Sequence, residues 1–407
     1  MSTNFVYLAY SSTFSTQSGG LKTYSVDCAG NLTFIDSDTR GSAADIPNGV
    51  WGDGNFIYLA NFTQNYTGNL HVYSVNNSGV LTHIDSDNRT GQAVNVWGDG
   101  NFIYLANGNG GLHTYSVNSS GSLTHLDSDD QGDTANDVWG DGNFIHLANG
   151  YGGLHVYSVN SSGNLTHIGS ADLGGYPYSA GGVWGDGNFI YVAYRDVLNV
   201  GTSGGLHTYS VNSSGSLTHK GFHYPGDQGR HVWGDGKFIY LTATNGLHTY
   251  SVNNSASLTH IDSDNQGGSY LKSWGDGNFI YAAGYGNGLH TYSVDGSGNL
   301  THINSYLQQG GSYAARGVWA NLNLNSNSCP NTSCQPSLTS NTALMLISNK
   351  DHLSTDFEDL SNYNHTITAT ATTPVYHDSL TTTLQGTDTA IAMNLEGSHH
   401  GGYLTVG

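Results

Sequence analysis

Short apolar blocks alternate with punctuation rich in Gly, Asn, Asp and Ser along most of the chain. Val50-Trp51 is followed by Gly52-Asp53-Gly54-Asn55 and then Phe56-Ile57-Tyr58-Leu59-Ala60; the same phrase returns, with small changes, from Val96, Val138, Val183, Val232 and Ser273. Each copy continues into a block such as Leu112-His113-Thr114-Tyr115-Ser116-Val117 and then one such as Leu123-Thr124-His125-Leu126-Asp127. Runs of this length, rich in β-branched and aromatic residues and bounded by turn formers, predict β-strands. Asp-Gly accepts the positive φ of a tight hairpin. Each unit therefore reads as four strands, a to d, with regular a–b and c–d turns.

Seven tryptophans mark the period: Trp51, Trp97, Trp139, Trp184, Trp233, Trp274 and Trp319. Four strands per repeat of this length is the spacing of a β-propeller blade. Strand b starts at Phe5, Phe56, Phe102, Phe144, Phe189, Phe238 and Phe279. The first copy lacks a Val-Trp strand, and Val318-Trp319 lacks a following strand b. The expected fold is all-β: a seven-bladed propeller over residues 1–319, closed by Val318-Trp319 joining the first blade, which removes the open sheet edge.

These blade motifs resemble the LVIVD-type and lactonase-like seven-bladed propellers, over residues 4–319. The resemblance implies the fold and says little of activity, because propellers host many functions. Residues 320–341 read as an Asn/Ser-rich linker. Residues 342–407 lack the blade pattern. Asp359-Leu360-Ser361-Asn362-Tyr363-Asn364-His365 and Gly402-Tyr403-Leu404-Thr405-Val406 resemble part of a laminin-G/concanavalin-like jelly roll. Such a domain normally runs further, so the expectation is a partial β domain, truncated or completed by another chain in a homo-oligomer. A propeller joined to such a piece also resembles phage tail or appendage proteins.

Charge narrows the classes. Lys+Arg number 10 against 30 Asp+Glu, a formal charge of -20. Nucleic-acid binding needs phosphate-neutralising cations, and a polybasic membrane patch needs clustered ones; neither is expected. No apolar run is long enough to span a bilayer. Cys28, Cys329 and Cys334 form no zinc or disulfide framework; Cys329 and Cys334 could close a small loop and leave Cys28 single. No secretory signal is visible at the N-terminus. A charge-poor, Asn/Ser/Thr/Gly-rich chain of this kind fits a virion or extracellular protein.

Twelve histidines hold fixed positions: His71, His113, His155, His207, His248 and His290 on strand c, and His83, His125, His167, His219, His260 and His302 on strand d. Recurrence with their neighbours reads as packing. One register sets His125 opposite Tyr115 and Asp127 opposite His113. The turn aspartates Asp53, Asp99, Asp141, Asp186, Asp235 and Asp276 are explained by turn geometry. Asp127, Asp129 and Asp133 have oxygen ligands at alternate positions, the spacing of a Ca2+ loop. Otherwise no cofactor is expected.

The a–b and c–d turns barely vary, whereas the b–c and d–a loops vary in length and composition. In an up-and-down blade the variable loops share one end, which is where binding usually resides. The arginines Arg40, Arg89, Arg195, Arg230 and Arg316, and Lys272, are read into these loops, with the aromatics Phe62, Tyr66, Tyr151, Tyr176, Tyr178, Phe222, Tyr224, Tyr270, Tyr285 and Tyr313. Arginines among aromatic rings suit an anionic or hydroxyl-rich ligand. The expected ligand-binding set is Tyr151, Tyr176, Tyr178, Arg195, Tyr224, Arg230, His231, Lys272, Tyr285 and Arg316. No Gly-x-Ser-x-Gly, phosphate-binding loop or His-Glu-x-x-His occurs. The sequence thus favours a non-catalytic recognition protein, binding host surface polysaccharide or other virion proteins. The alternatives are a lactonase-like hydrolase using Asp137 and His231 at the channel mouth, and a structural scaffold.

Overall fold

The computed structural model describes residues 5–321 except 13–18, 40–44, 64, 199–203 and 307–312, and beyond these only short strands. The chain divides into two compact units, Met1–Ser326 and Asn327–Gly407.

The first unit is built of strands. They are β1 (Phe5–Ser12), β2 (Gly20–Val26), β3 (Leu32–Asp38), β4 (Ile46–Gly52), β5 (Ile57–Phe62), β6 (Thr67–Val75) and β7 (Leu81–Thr90). Next come β8 (Asn95–Gly98), β9 (Ile103–Ala106), β10 (Leu112–Val117), β11 (Leu123–Asp129), β12 (Ala135–Gly140), β13 (Ile145–Asn149), β14 (Leu154–Val159) and β15 (Leu165–Ala171). Then follow β16 (Tyr178–Gly185), β17 (Ile190–Asp196), β18 (Gly205–Val211), β19 (Leu217–His223), β20 (Gly229–Gly234), β21 (Ile239–Ala243), β22 (Gly246–Val252) and β23 (Leu258–Asp264). The last are β24 (Ser269–Gly275), β25 (Ile280–Tyr285), β26 (Gly288–Val294), β27 (Leu300–Tyr306) and β28 (Tyr313–Ala320).

From β4 to β23 every four consecutive strands form one antiparallel sheet. β24 to β27 pair in the same order, and β28 pairs with β1 ahead of β2 and β3, setting Val318 against Leu8 and Trp319 against Tyr7. One further pair, Tyr285 with Ala314, links these last strands into a single eight-stranded sheet. The first sheet thus takes a strand from late in the chain. This all-β arrangement of four-stranded sheets is that of a propeller.

Burial explains the strand composition. β9 is buried throughout, and β10 over its first four residues, because sheets pack against both faces. The fourth strand, such as β11, alternates half-buried and exposed residues and forms the outer edge. Between sheets, six of the seven tryptophans lie on a glycine of the next: Trp51 on Gly98, Trp97 on Gly140, Trp139 on Gly185, Trp184 on Gly234, Trp233 on Gly275 and Trp319 on Gly52; at the position Trp274 would cover the residue is Ala320. A Cβ on any of these glycines would fall under 3 Å from the indole. The glycine after Trp therefore serves packing between sheets, while the turn itself uses the next one, such as Gly54 with φ 87°.

The turn aspartates do more than shape the turn. Asp99 Oδ1 accepts the N–H groups of Asn101 and Phe102, and Oδ2 accepts the Tyr104 hydroxyl at 2.8 Å. Asp53, Asp186, Asp235 and Asp276 hold Tyr58, Tyr191, Tyr240 and Tyr281 the same way, and Asp141 takes His146 at 2.9 Å. Those rings in turn stack on the tryptophans, as Tyr104 does on Trp97.

The histidines are a packing device. In six sheets Nδ1 of the strand c ring faces Nε2 of the strand d ring at 3.0 to 3.5 Å, from His71–His83 to His290–His302. Tyr115 does stand opposite His125, but a bulge moves Asp127 opposite Thr114 and Ser128 opposite His113. The expected Asp127–His113 pairing is corrected accordingly: Leu126 is the extra residue.

Asp127 points instead to the neighbouring sheet, where Oδ2 accepts the Leu165 N–H at 2.8 Å. Asp36, Asp85 and Asp262 clasp Leu81, Leu123 and Leu300 alike. Gly169 and Gly221 occupy the same repeat position in β15 and β19.

In the second unit the described strands are β29 (Leu346–Ser348) paired with β30 (Phe357–Asp359), and β31 (Ala369–Thr370) paired with β32 (Thr381–Thr382). The rest of the jelly-roll reading of 342–407 and most of the 320–341 linker lie outside the described residues. Cys28, expected to stay single if Cys329 and Cys334 pair, is disulfide-bonded.

Two outcomes follow. Gly169→Asp and Gly221→Asp, at positions where a Cβ meets nothing within 4 Å, add the missing clasps to Leu217 and Leu258. Each should raise stability by ~1 kcal/mol in denaturant unfolding; a fall would refute the clasp. Burial, then the facing ring's charge, lowers His113, His248 and His290 to about 4. Their folded values lie below the unfolded one. Stability is therefore full above about pH 6.5 and falls towards pH 4, by ~1.4 kcal/mol per pH unit per such histidine. A His113→Gln/His125→Gln variant should show a shallower loss between those pH values.

Candidate functional site

The residue just before each Val-Trp differs between units although the phrase itself hardly changes. Around the sheets it is Gly49, Asn95, Asp137, Gly182, His231, Lys272 and Gly317. The ladder shifts register beside most of these positions, for instance between Ala135 and Asp137 and between Gly229 and His231. Such bulges re-aim side chains. Asn95, Asp137, His231 and Lys272 line a small cavity with Val50, Val96, Val138, Val183, Val232, Ser273 and Val318, which are the same position in seven strands. Its volume is about 30 Å³. The glycines leave room where strands crowd, since a Cβ on Gly182 would meet the His231 Cα at 2.6 Å.

Asp137 is the anchor of this cavity. Oδ1 accepts the Val138 N–H at 3.0 Å and the Asn95 amide, and Oδ2 accepts the Val183 N–H of the next sheet at 2.9 Å. His231 Nε2 stands 3.7 Å from Asp137 Oδ2, and Nδ1 is buried without a partner. Burial pushes His231 down to about 4, against the Asp137 charge. Burial also lowers the Lys272 ammonium to about 8, again opposed by Asp137. Lys272 Nζ donates to the Val94 carbonyl at 3.3 Å. The Asp137 carboxyl group, an imidazole neutral above about pH 4 and an ammonium held below about pH 8 thus share one spot.

The antiparallel order sends the b–c and d–a loops to one end of the sheets, opposite the regular turns. At that end Tyr151, between β13 and β14, and Tyr176, between β15 and β16, meet edge to face at 5.5 Å. They are 37% and 60% exposed. Arg195 lies near the end of β17 and Arg230 sits on β20; both side chains are half-buried, and each Nε is buried without a hydrogen-bond partner. A second group forms at Arg316, whose guanidinium lies 6.0 Å from the exposed Tyr285 ring. Arg316 is already held: Nε donates to Ser11 Oγ at 2.5 Å and Nη1 to Asn48 Oδ1 at 3.3 Å.

The expected ligand set thus falls into three places: Tyr151, Tyr176, Arg195 and Arg230; Tyr285 and Arg316; and His231 with Lys272 in the Val-lined cavity. Half-buried Tyr178 starts β16 opposite Asp196, and half-buried Tyr224 follows β19. Several expectations are corrected. Tyr270 is fully buried and its hydroxyl meets that of Tyr292 at 2.8 Å, so it is core. Phe222 stacks on His207 at 5.0 Å. Arg195, Arg230, Arg316 and Lys272 lie on strands rather than in loops, and Arg89, on β7, pairs with Asp87 at 2.7 Å. Arg40 and the Tyr313 side chain lie outside the described residues.

The three aspartates of the expected Ca2+ loop have separate partners here. Asp127 is spent on Leu165; Asp129 accepts Gln131 at 2.6 Å and Tyr157 at 3.3 Å; Asp133 accepts the Thr134 N–H at 2.7 Å. Among the described residues no three His, Cys, Asp or Glu side chains are grouped to hold a metal. Asn95 was missed from the sequence, although its place in the hypervariable position before Val-Trp marks it.

No protein-family model and no curated protein matches this sequence. Among solved structures it is similar to the periplasmic gluconolactonase PpgL of Pseudomonas aeruginosa, at 17% identity and TM-score 0.61, over 78% of this chain and 99% of that one. It is also similar to Sqt1 of Chaetomium thermophilum, solved bound to the N-terminus of the ribosomal protein L10, at 13% identity and TM-score 0.51, over 74% and 87%. A second Sqt1 structure is similar at 14% identity and TM-score 0.52, over 74% and 84%. The chain is a β-propeller protein.

Proposed function

We propose that the seven four-stranded units close into a seven-bladed ring and that the protein is a recognition protein, binding a saccharide at the irregular end. Support for the ring comes from β28 pairing with β1, from Trp319 lying on Gly52, and from Asn304 Nδ2 meeting Asn31 Oδ1 at 3.4 Å across the join. Support for recognition comes chiefly from one observation: the exposed, edge-to-face Tyr151 and Tyr176 beside half-buried arginines. Aromatic faces with adjacent polar groups suit the apolar face and hydroxyl rim of a sugar ring. On a panel of bacterial surface polysaccharides, a Tyr151→Ala/Tyr176→Ala variant should bind at least tenfold more weakly. Unchanged affinity in that variant would refute the reading.

A second reading is favoured by the Asp137–His231 geometry and by a fold shared with a protein named as a gluconolactonase. Here His231, neutral above about pH 4, takes the proton of a water that attacks a lactone carbonyl. The ring C–O bond breaks and the leaving alkoxide receives a proton from the imidazolium, which Asp137 supports. Turnover of a lactone panel by the protein, lost by at least a hundredfold in His231→Gln, would establish this reading. No turnover above the uncatalysed rate would end it.

A further inference from the structure

The glycine pair Gly181-Gly182 on β16 brings two cations together. A Cβ on Gly181 would lie 2.8 Å from the Arg230 carbonyl oxygen and 3.7 Å from Arg195 Nε, so Arg195 reaches across β16 to the backbone beside Arg230. Neither guanidinium has a carboxylate within ion-pair distance among the described residues. Both Nε atoms are buried and donate to nothing. Burial holds both guanidinium groups below the usual arginine value; at Arg230 the Arg195 charge adds to this and Asp227 opposes it.

Two neighbouring half-buried cations without an anion are costly in a chain with three times as many acids as bases. Other cations of this propeller are satisfied: Arg89 by Asp87, Arg316 by Ser11 and Asn48. Arginine is also the side chain whose fork matches a planar anion. Tyr151 and Tyr176 stand at the same end, and Tyr151 lies within electrostatic reach of Arg195.

We propose that Arg195 and Arg230 form an anion subsite that takes the carboxylate of an acidic sugar, with Tyr151 and Tyr176 against the ring. This rests on the saccharide reading above, and the test separates the two. Isothermal titration uses three probes: a glucuronate oligosaccharide, the glucose oligosaccharide of the same linkage, and inorganic sulfate. The acidic sugar should bind at least tenfold more tightly than the neutral one, and sulfate should compete with it. Arg195→Gln and Arg230→Gln should each abolish that preference, and Arg195→Lys should restore less than half of it, because the fork is lost. Without ligand, both Gln variants should melt at the same temperature as the parent or a few degrees higher, since a like charge is removed. If the two guanidiniums merely brace β16 and β20, melting would fall and the preference would persist, which overturns the proposal. Equal, Arg-independent binding of both sugars overturns the subsite and leaves the saccharide reading standing. Arg-dependent sulfate binding without sugar binding supports the subsite and removes the saccharide reading. No binding of any probe overturns both.

Discussion

The contact on which the propeller depends is the seat of an indole on the bare backbone of the next sheet. A turn carboxylate holds a tyrosine hydroxyl, the tyrosine ring stacks on the tryptophan, and the tryptophan covers the neighbour's glycine, as Asp99, Tyr104, Trp97 and Gly140 do. Most sheets are thereby locked inside themselves and to the next by the same few atoms. The wide, rigid indole fixes how closely adjacent sheets approach and how far they are rotated, and interiors packed this closely tolerate little change. The outer strands add the aspartate clasps to leucine amides, a second tie at larger radius.

With the frame set this way, the inner position before Val-Trp is free to vary. Three units place glycine there and four place Asn95, Asp137, His231 and Lys272. The frame tolerates them because Asp137 satisfies two backbone amides from adjacent sheets while facing the His231 imidazole and the Lys272 ammonium. Arg195 and Arg230 have no such arrangement. The first cluster compensates its charges internally, and the second pair does not.

Much of this was legible in the repeat. Strand positions, hairpin turns, the outer histidine ladders and the late partner for the first sheet all follow from periodic residues, because contacts within a unit recur every time the unit does. What was not legible depends on residues distant in sequence. Gly140 reads as part of a turn until Trp97 is seen on it, and the hold of Asp127 on the Leu165 amide joins residues of different sheets. Tyr270 resembles a loop aromatic because only its Tyr292 contact marks it as core. Arg316 looks free until Ser11, from the start of the chain, is brought to it. The three-way division of the expected ligand residues was equally hidden, since it is set by which sheets adjoin.

The scarcity and placement of basic side chains carry a consequence for digestion. An enzyme of trypsin type, cutting after lysine or arginine, finds 10 such residues in 407. Lys22, Arg195, Arg230, Lys272 and Arg316 lie on hydrogen-bonded strands with their side chains buried or half-buried. Cleavage there would require a sheet to open first. At these five positions, half of the basic residues in the chain, the same pairing that builds the sheets also withholds the cleavage site.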